Sequence, residues 1–597
     1  MSVAELAPDP GVDYGEVFTR RWVVDLILDL VGYTADKDLG ASTLVEPSCG
    51  TGAFLVPIVE RLIESSAVRG DDLRTLGPAI QAFDLLDANA ERARKAVAEL
   101  LVAQGLKGDD ADSLVKEWIT TGDFLLHRHD PGKADYVVGN PPYIRLENVP
   151  RRIMAAYRRI CPTMRGRADI YVGFIERGLE LLKPGGALSF ICADRWMRNQ
   201  YGADLRELIT SAYAVDTVIS MHDVDAFEDD VSAYPAILVL RNQAQSKAVV
   251  VDATRAFDEP AASRLSTWVR HGRTVDLAAA SFEATCVDNW FDGRDLWPAG
   301  SPSQLALIAD LESRFAPLQD AATATRVGIG VATGCDEVFI TSDPNLVESE
   351  RLLPLLRAPD TVSGSVEWSG HYLVNPWDSS GLVDLERYPQ LAAYLYKNGR
   401  RLRTRHIAKR RPDTWYRTID RIDHELIARP KLVIPDMKAA AHPVLDDGGC
   451  YPHHNLYFVV SDVWDLEVLG GLLLSDIANL FVGAYCVKMR GGCYRFQAQY
   501  LRRIRVPDFA SVGTREKRSL SEAFRERDVE KATASGAPAV RHRPPARGPL
   551  KPDDTGPTNF SSQSQDRPPD EPLLHPAPGD VRATCQLVGN ELEPDRK

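Results

Sequence analysis

The sequence predicts an α/β fold: a doubly wound, mostly parallel sheet, followed by a separate α+β domain. Three observations predict it. From about residue 18 to residue 250, amphipathic helix patterns alternate with short apolar runs, the pattern of repeated strand–helix units packed into a parallel sheet. One apolar run ends in a glycine-containing turn, Glu46-Pro47-Ser48-Cys49-Gly50-Thr51-Gly52, that opens a helix. Another, Ala134 to Val138, ends in Gly139-Asn140-Pro141-Pro142-Tyr143.

The elements follow in chain order. Thr19 stands where it could cap a helix whose apolar stripe is Trp22, Val23, Leu26, Ile27 and Leu30. Thr43 to Val45 reads as a short strand, and a helix is expected over about 52–63. A second strand, about 79–83, meets Asp84, and "DANAERARKAVAELLVAQG" continues as an amphipathic helix. "WITTGDFLL" and the run ending at Gly139 supply two further strands, and a helix is expected from about Ile170 to Leu182. "KPGG" reads as a turn into the strand "ALSFICA"; "AVDTVISM" and "AYPAILVLR" complete the sheet.

These patterns divide the chain into a sheet domain at 14–255, a connector at 256–302, an α+β domain at 303–508 and a tail at 509–597. The tail is rich in Pro, Asp, Ser and Gly and poor in large apolar residues, so burial cannot offset its ordering entropy and disorder is expected.

The 597 residues are 44% hydrophobic and 26% charged, an ordinary balance for a chain with full cores. No apolar run reaches the ~18 residues of a membrane span, so no membrane partner is expected. The acidic first residues lack a signal pattern, and nine cysteines fall in no paired framework, which together suggest a reducing, cytoplasmic setting. A net charge of −14 argues against chain-wide affinity for nucleic acid. Basic residues are concentrated locally, in Lys397, Arg400, Arg401, Arg403, Arg405, Lys409, Arg410 and Arg411, and again in Arg502, Arg503 and Arg505.

The ends of parallel strands are where open α/β sheets bind ligands. Gly50 and Gly52 allow close approach of the backbone, but Leu55 stands where a dinucleotide fingerprint needs its third glycine. Glu46 would repel a pyrophosphate and suits a cation, such as the ammonium of an amino acid. Asp84 at the second strand end can accept from ribose hydroxyls, and Asp123 at the third can accept from an adenine amino group. Three acids at three successive strand ends outline a nucleoside with a cationic tail, S-adenosylmethionine.

The fourth strand end would then face the methyl group. An exocyclic amino or amide nitrogen is a poor nucleophile because its lone pair is delocalised. Two fixed acceptors on its N–H groups steer that lone pair and stabilise the developing positive charge. The Asn140 side-chain oxygen and the Pro141 carbonyl are candidates, made rigid by Pro141 and Pro142. Tyr143 offers a flat face for a planar substrate.

Taken together, these motifs resemble the γ-class amino-methyltransferases that act on adenine N6 in DNA, the TaqI-like family of the class I methyltransferase fold. "YGEVFTRRWVVDLILDL" is similar to the family's leading helix, with Thr19 at the cofactor-binding threonine and Arg20 in place of the usual proline. "VEPSCGTGAFL" resembles the first cofactor motif, and Asp84 and Asp123 match the ribose- and adenine-binding acids. The resemblance implies that Phe174 packs on the cofactor adenine and that Phe227, in "AFEDDVSAYPAILVL", helps to hold a flipped base, although Phe227 is equally suited to the core. It covers residues 14–245 well. "VGIGVATGCDEVFI", "KLVIPDMK" and "MRGGCYRFQAQYLRRIRVPD" resemble segments of the family's target-recognition domain.

The resemblance implies a site-specific adenine-N6 methyltransferase acting on double-stranded DNA, the modification part of a restriction-modification or related defence system, with a separate cognate restriction endonuclease as a partner. Arg401, Arg403, Arg410, Arg411, Arg490 and Arg495 are its candidate DNA contacts, along with the segment around Trp415 and Tyr416, where a core role is equally expected. Alternatives are an RNA base, a protein glutamine, or a fusion of modification and restriction. The long C-terminal domain disfavours the glutamine reading; the absence of a P-D…(D/E)-x-K cluster and the early first motif disfavour the fusion. No metal is expected: Cys450, His453, His454, Cys486 and Cys493 cluster in sequence without C-x-x-C pairs.

Overall fold

The structure is a computed structural model that describes residues 17–144, 148–229, 234–271, 277–288, 290–488 and 493–541. The chain forms two compact units, divided between Ala306 and Leu307.

The first unit is a ten-stranded sheet of order β3-β2-β1-β4-β5-β7-β6-β8-β10-β9. Its strands are β1 (Leu44–Glu46), β2 (Ile80–Asp84), β3 (Ile119–Thr121), β4 (Ala134–Gly139), β5 (Leu182–Ala193), β6 (Ala214–Ser220), β7 (Pro235–Arg241), β8 (Ala248–Ala253), β9 (Leu277–Ala279) and β10 (Phe282–Val287). The helices are α1 (Arg21–Val31), α2 (Leu55–Arg69), α3 (Asp87–Ala103), α4 (Gly108–Trp118), α5 (Arg151–Ile160), α6 (Tyr171–Leu181), α7 (Arg195–Arg198), α8 (Ala203–Ala212) and α9 (Glu259–Arg270). β1 pairs in parallel with both β2 and β4, and β4 with β5, whereas β7 runs antiparallel to β5 and β6. The sheet is thus mostly parallel around the site, as expected.

Period-two alternation sends side chains to two cores. Leu44, Val138, Ile191 and Ile237 pack with α1, α2 and α9 on one face. Val45, Val137, Leu188 and Leu238 pack with α5, α6 and α8 on the other. Helices on both faces make the sheet doubly wound. The chain runs outward from β1 through β2 to β3, then returns to β4 on the other side of β1. The topological switch point lies between β1 and β4, where such sheets open a crevice.

Three expectations change. "KPGG" is not a turn before a strand but a bulge inside β5: the register with β4 jumps between Ala134↔Leu182 and Tyr136↔Ala187, and Gly185 takes a φ of 82°. The expected connector at 256–302 is largely part of the sheet unit, because β10 pairs antiparallel with β8 over six residue pairs and α9 buries Ala261, Ala262, Leu265 and Val269. Thr19 does not cap α1, whose N-cap is Arg20 with no side-chain cap bond. Thr19 instead forms an antiparallel bridge with Phe227, flanked by bonds from Arg20 N to Ala226 O at 3.0 Å and from Glu228 N to Phe18 O at 2.9 Å.

The second unit is α+β. One antiparallel sheet has the order Arg326–Ile329, Leu456–Val460, Lys431–Pro435, Val444–Asp446. A second places Leu352–Leu356 between Tyr372–Val374 and Tyr451–Pro452. Met437–Lys438 pairs with Tyr494–Arg495, so the three segments likened to a recognition domain are assembled together. No single helix among the described residues is long and apolar enough to cross a membrane.

The expected start of disorder at 509 is too early. Thr514–Glu526 and Val529–Arg541 are helices, and the first packs on Leu466–Leu474. Gly470 and Gly471 permit the approach: a Cβ at Gly471 would lie 2.3 Å from the Leu520 carbonyl oxygen. The tail beyond residue 541 lies outside the described residues.

Candidate functional site

At the switch point the strand ends surround a cavity of about 310 Å³. Its wall takes Glu46 from β1, Asp84 from β2, Asp123 after β3 and Asn140 after β4, so the three acids and the amide expected from sequence are brought together. Thr19, Gly50, Pro141, Pro142, Tyr143 and Phe174 also line it.

Local folding explains their placement. Asp84 binds two loops at once: Oδ2 accepts from Gly50 N at 2.9 Å and Oδ1 from Leu86 N at 2.8 Å. Gly50 has a φ of 54° and Gly52 of 105°, which let the turn fold back toward β2 without Cβ strain. Gly52 faces away from the cavity, toward Ala93 of α3, where an added Cβ would lie 3.7 Å from the Ala93 Cα. Its role is to seat the turn on α3.

Glu46 is buried, and its Oε2 has no hydrogen-bond partner. Burial, with the Asp84 charge beside it, pushes its carboxyl well above the usual carboxylate range. An uncompensated buried carboxyl is costly and marks a place for a cation.

Asp123 is also raised by burial, against the lowering effect of its hydrogen bonds. Its Oδ1 accepts from Leu125 N at 2.9 Å and Leu126 N at 3.3 Å. Its Oδ2 accepts from the Tyr157 hydroxyl at 2.7 Å. Tyr157, on α5, was not anticipated: nothing in "RRIMAAYRRI" distinguishes it from a core tyrosine. Phe174 stacks on Phe124, with ring centroids 5.4 Å apart and an interplanar angle of 23°.

Asn140 has one fixed orientation. Its Nδ2 donates to the Val17 carbonyl at 3.0 Å and to Thr19 Oγ1 at 3.2 Å. A carbonyl oxygen only accepts, so the group facing Val17 must be the amide NH₂. Its Oδ1 is therefore the free end, buried and without a partner. The Ser48 hydroxyl donates to the Asn140 carbonyl at 3.0 Å, joining the β1 turn to the β4 turn. The Thr19–Phe227 bridge holds Val17 and Thr19 in place, so the Thr19 hydroxyl acts on Asn140 from a strand pairing rather than from a helix cap.

The Tyr143 hydroxyl lies 3.5 Å from the Ile191 carbonyl oxygen, and its ring meets Phe227 edge-on at 6.3 Å. Phe227 does not line the cavity as expected for a residue gripping a base. It is buried in the α1-side core and braces the Tyr143 ring, because the bridge to Thr19 points it inward.

The donor set fits S-adenosylmethionine. Glu46 offers an unpaired carboxyl to an ammonium. Asp84 and Asp123 are carboxylates whose oxygens can accept from hydroxyl and amino groups, and the Phe124–Phe174 pair offers an aromatic wall.

In the second unit, Arg401, Arg403, Arg410 and Arg411 are all exposed. Arg401 pairs with Glu337 at 2.7 Å, and the Arg403 guanidinium covers the Trp415 ring at 3.9 Å. Trp415 itself is buried, and Tyr416 is half-buried against the same core, its hydroxyl donating to the Val383 carbonyl at 2.9 Å. Arg495 is half-buried and faces Asp436 at 3.4 Å, in a strand that pairs with Met437–Lys438. The group at 502–505 turns inward, with Arg502 donating to the Val327 carbonyl at 3.0 Å and Arg505 3.6 Å from Glu312. Arg490 lies outside the described residues.

Comparison with known proteins gives a consistent picture. Residues 78–227 match the family described as Eco57I restriction-modification methylase. The Type II methyltransferase M.PaeR7I of Pseudomonas aeruginosa is 45% identical over 88% of this chain and 91% of its own. The Type II methyltransferase M.XhoI of Xanthomonas vasicola is 43% identical over 87% of this chain and 95% of its own. Among solved structures, the Type IIL restriction-modification enzyme MmeI in complex with DNA shares the fold, at a TM-score of 0.55 and 12% identity, over 89% of this chain and 74% of that one.

Proposed function

The chain belongs to the Type II methyltransferases of restriction-modification systems, and from that premise we propose that it methylates the N6 amino group of adenine in double-stranded DNA. Its cofactor is S-adenosylmethionine, held by Glu46, Asp84 and Asp123 with Phe174 against the adenine ring. When bound, that cofactor supplies an electrophilic methyl group on a positively charged sulfur.

The observation that carries the reading is Asn140. Its NH₂ is tied to Val17 and Thr19, which leaves Oδ1 buried, unpartnered and pre-aimed. That atom accepts one N–H of an exocyclic amine, and the Pro141 carbonyl accepts the other. Fixed acceptors stabilise positive charge as it develops on the nitrogen, at no cost in reorganisation. The methylated nitrogen then loses one proton to solvent water, which restores its neutrality.

A base reaches this pocket only if it leaves the stack, at a cost of a few kcal/mol. Tyr143, braced by Phe227, provides the face that receives it. Arg401, Arg403, Arg410 and Arg411 contact phosphates, which position the duplex without reading its sequence. The chain acts in the cytoplasm as the modification half of the system, with restriction carried by a separate nuclease.

Mapping of methylated bases in DNA incubated with the purified protein and cofactor tests this. The expected product is N6-methyladenine at one short sequence. N4-methylcytosine, or methylation of RNA or protein glutamine in place of DNA, overturns the reading.

A further inference from the structure

The second unit holds an unassigned cluster of Asp336, His453 and His454. One potential ligand atom from each lies within 4.8 Å of the other two. The backbone fixes all three. Asp336 opens the short helix Asp336–Phe339, and Thr333 Oγ1 donates to its Oδ1. His453 and His454 form the turn between Tyr451–Pro452 and Leu456–Val460. His453 N donates to the Leu356 carbonyl at 2.8 Å, and His454 N to the Val331 carbonyl at 3.1 Å. Gly330 admits the turn closely, since a Cβ there would lie 2.2 Å from the His453 carbonyl oxygen.

The imidazoles are the telling part. His453 is 6% exposed, and its Nε2 lies 3.1 Å from Asp336 Oδ2. A carboxylate only accepts, so Nε2 carries the proton and Nδ1 is left as a bare lone pair. That Nδ1 is buried without a hydrogen-bond partner, and so is Nδ1 of His454. The two rings are stacked edge-on, with centroids 4.0 Å apart. Two buried imidazole nitrogens without partners, side by side, are costly as a purely structural arrangement. They are the donor type that binds borderline divalent metals, and a carboxylate on the opposite ring nitrogen is the usual support for such a ligand.

We propose that His453 and His454, with Asp336 holding His453 through its Nε2, form a binding site for a divalent transition-metal ion of the zinc class, completed by water. Arg495 lies near enough to oppose a cation electrostatically, but its guanidinium faces Asp436 at 3.4 Å, which offsets that charge. The ion would tie the loop after Arg326–Ile329 to the turn before Leu456–Val460. Both segments belong to the part of the chain likened to a recognition domain, so the metal would stiffen that region and take no part in methyl transfer. The inference stands independently of the methyl-transfer reading.

The test uses the full chain, stripped with a chelator, desalted and titrated with Zn²⁺ in a calorimeter. One equivalent should bind, and the melting temperature should rise with it. His454→Gln and Asp336→Asn should each weaken binding about tenfold or more. Cys450→Ser should leave binding unchanged. Cofactor binding, measured on the same samples, reports whether each variant is folded in the first unit, and circular dichroism reports on the whole. Cobalt substitution gives a readout independent of folding losses: the parent should show ligand-field bands without an intense thiolate charge-transfer band. Absence of stoichiometric Zn²⁺, retention of full affinity in both variants, or a thiolate band overturns the proposal.

Discussion

Asn140 and Glu46 present the same signature at the scale of single residues: a buried oxygen without a partner, on a residue that lines the cavity. Their chemical needs differ. Asn140 is neutral and held by its Nδ2 contacts, so on the proposed reading its Oδ1 accepts only once the substrate amine arrives. Glu46 is raised by burial first and by Asp84 second, so the free protein holds a proton there above the ordinary value of 4.5. For the free protein, this group's contribution to stability is complete below that ordinary value and is lost as pH rises toward the raised one. An ammonium favours the ionised form, so cofactor binding should release a proton, and affinity should climb with pH across the same window. Calorimetry in buffers of different ionisation enthalpy should show this release, and Glu46→Gln should remove it. Losing the charged partner should weaken binding by about 1.5–3 kcal/mol, roughly ten- to a hundredfold. An unchanged proton count in Glu46→Gln would place the titrating group elsewhere.

Elements decide how those residues meet, and here sequence reading succeeded unevenly. The strand ends were legible because each is a short apolar run stopped by a polar residue with a chemical purpose. The Val17–Thr19 segment was not. Its partner, Ala226 to Glu228, lies some two hundred residues away, and antiparallel pairing at that separation leaves no local pattern. The helix-cap expectation for Thr19 followed a sound local preference that the tertiary bridge overrode. Tyr157 was illegible for a similar reason, since its hydroxyl has meaning only once α5 is laid beside Asp123. Replacing it isolates that contact. Tyr157→Phe should lose about 1 kcal/mol of cofactor binding, roughly fivefold, with kcat at saturating cofactor nearly unchanged. A fall in kcat with unaltered cofactor affinity would contradict a positioning role for Tyr157.

At the scale of the whole molecule, the sheet unit was legible in order and topology, but its far edge was not. β9 is only three residues long, and β10 alternates Phe282, Ala284 and Cys286 toward the core with Glu283 and Thr285 outward, a pattern with too few large apolar residues to stand out in a stretch without other strand signals. The region after 509 misled in the opposite sense. "TREKRSLSEAFRERDVEKATAS" is too charged to form a core alone, yet Leu520, Ala523, Phe524 and Ala532 make one narrow buried stripe. The apolar Leu466–Leu474 helix supplies what that stripe lacks. Gly471→Ala should therefore destabilise the second unit by about 1–3 kcal/mol through overpacking and expose 514–541 to protease. An unchanged melting curve and digestion pattern would detach those helices from the unit. On the proposed reading, the methyl-transfer chemistry rests on one oriented amide. The most direct measurement is single-turnover methylation of DNA by the parent and by Asn140→Ala, with the product nucleosides identified by mass spectrometry and cofactor affinity measured alongside. The account predicts N6-methyl-2′-deoxyadenosine from the parent, a rate lower by about 10²–10³ or more in the variant, and cofactor affinity within a few-fold. A variant that methylates as fast as the parent, or a parent product other than N6-methyladenine, would contradict it.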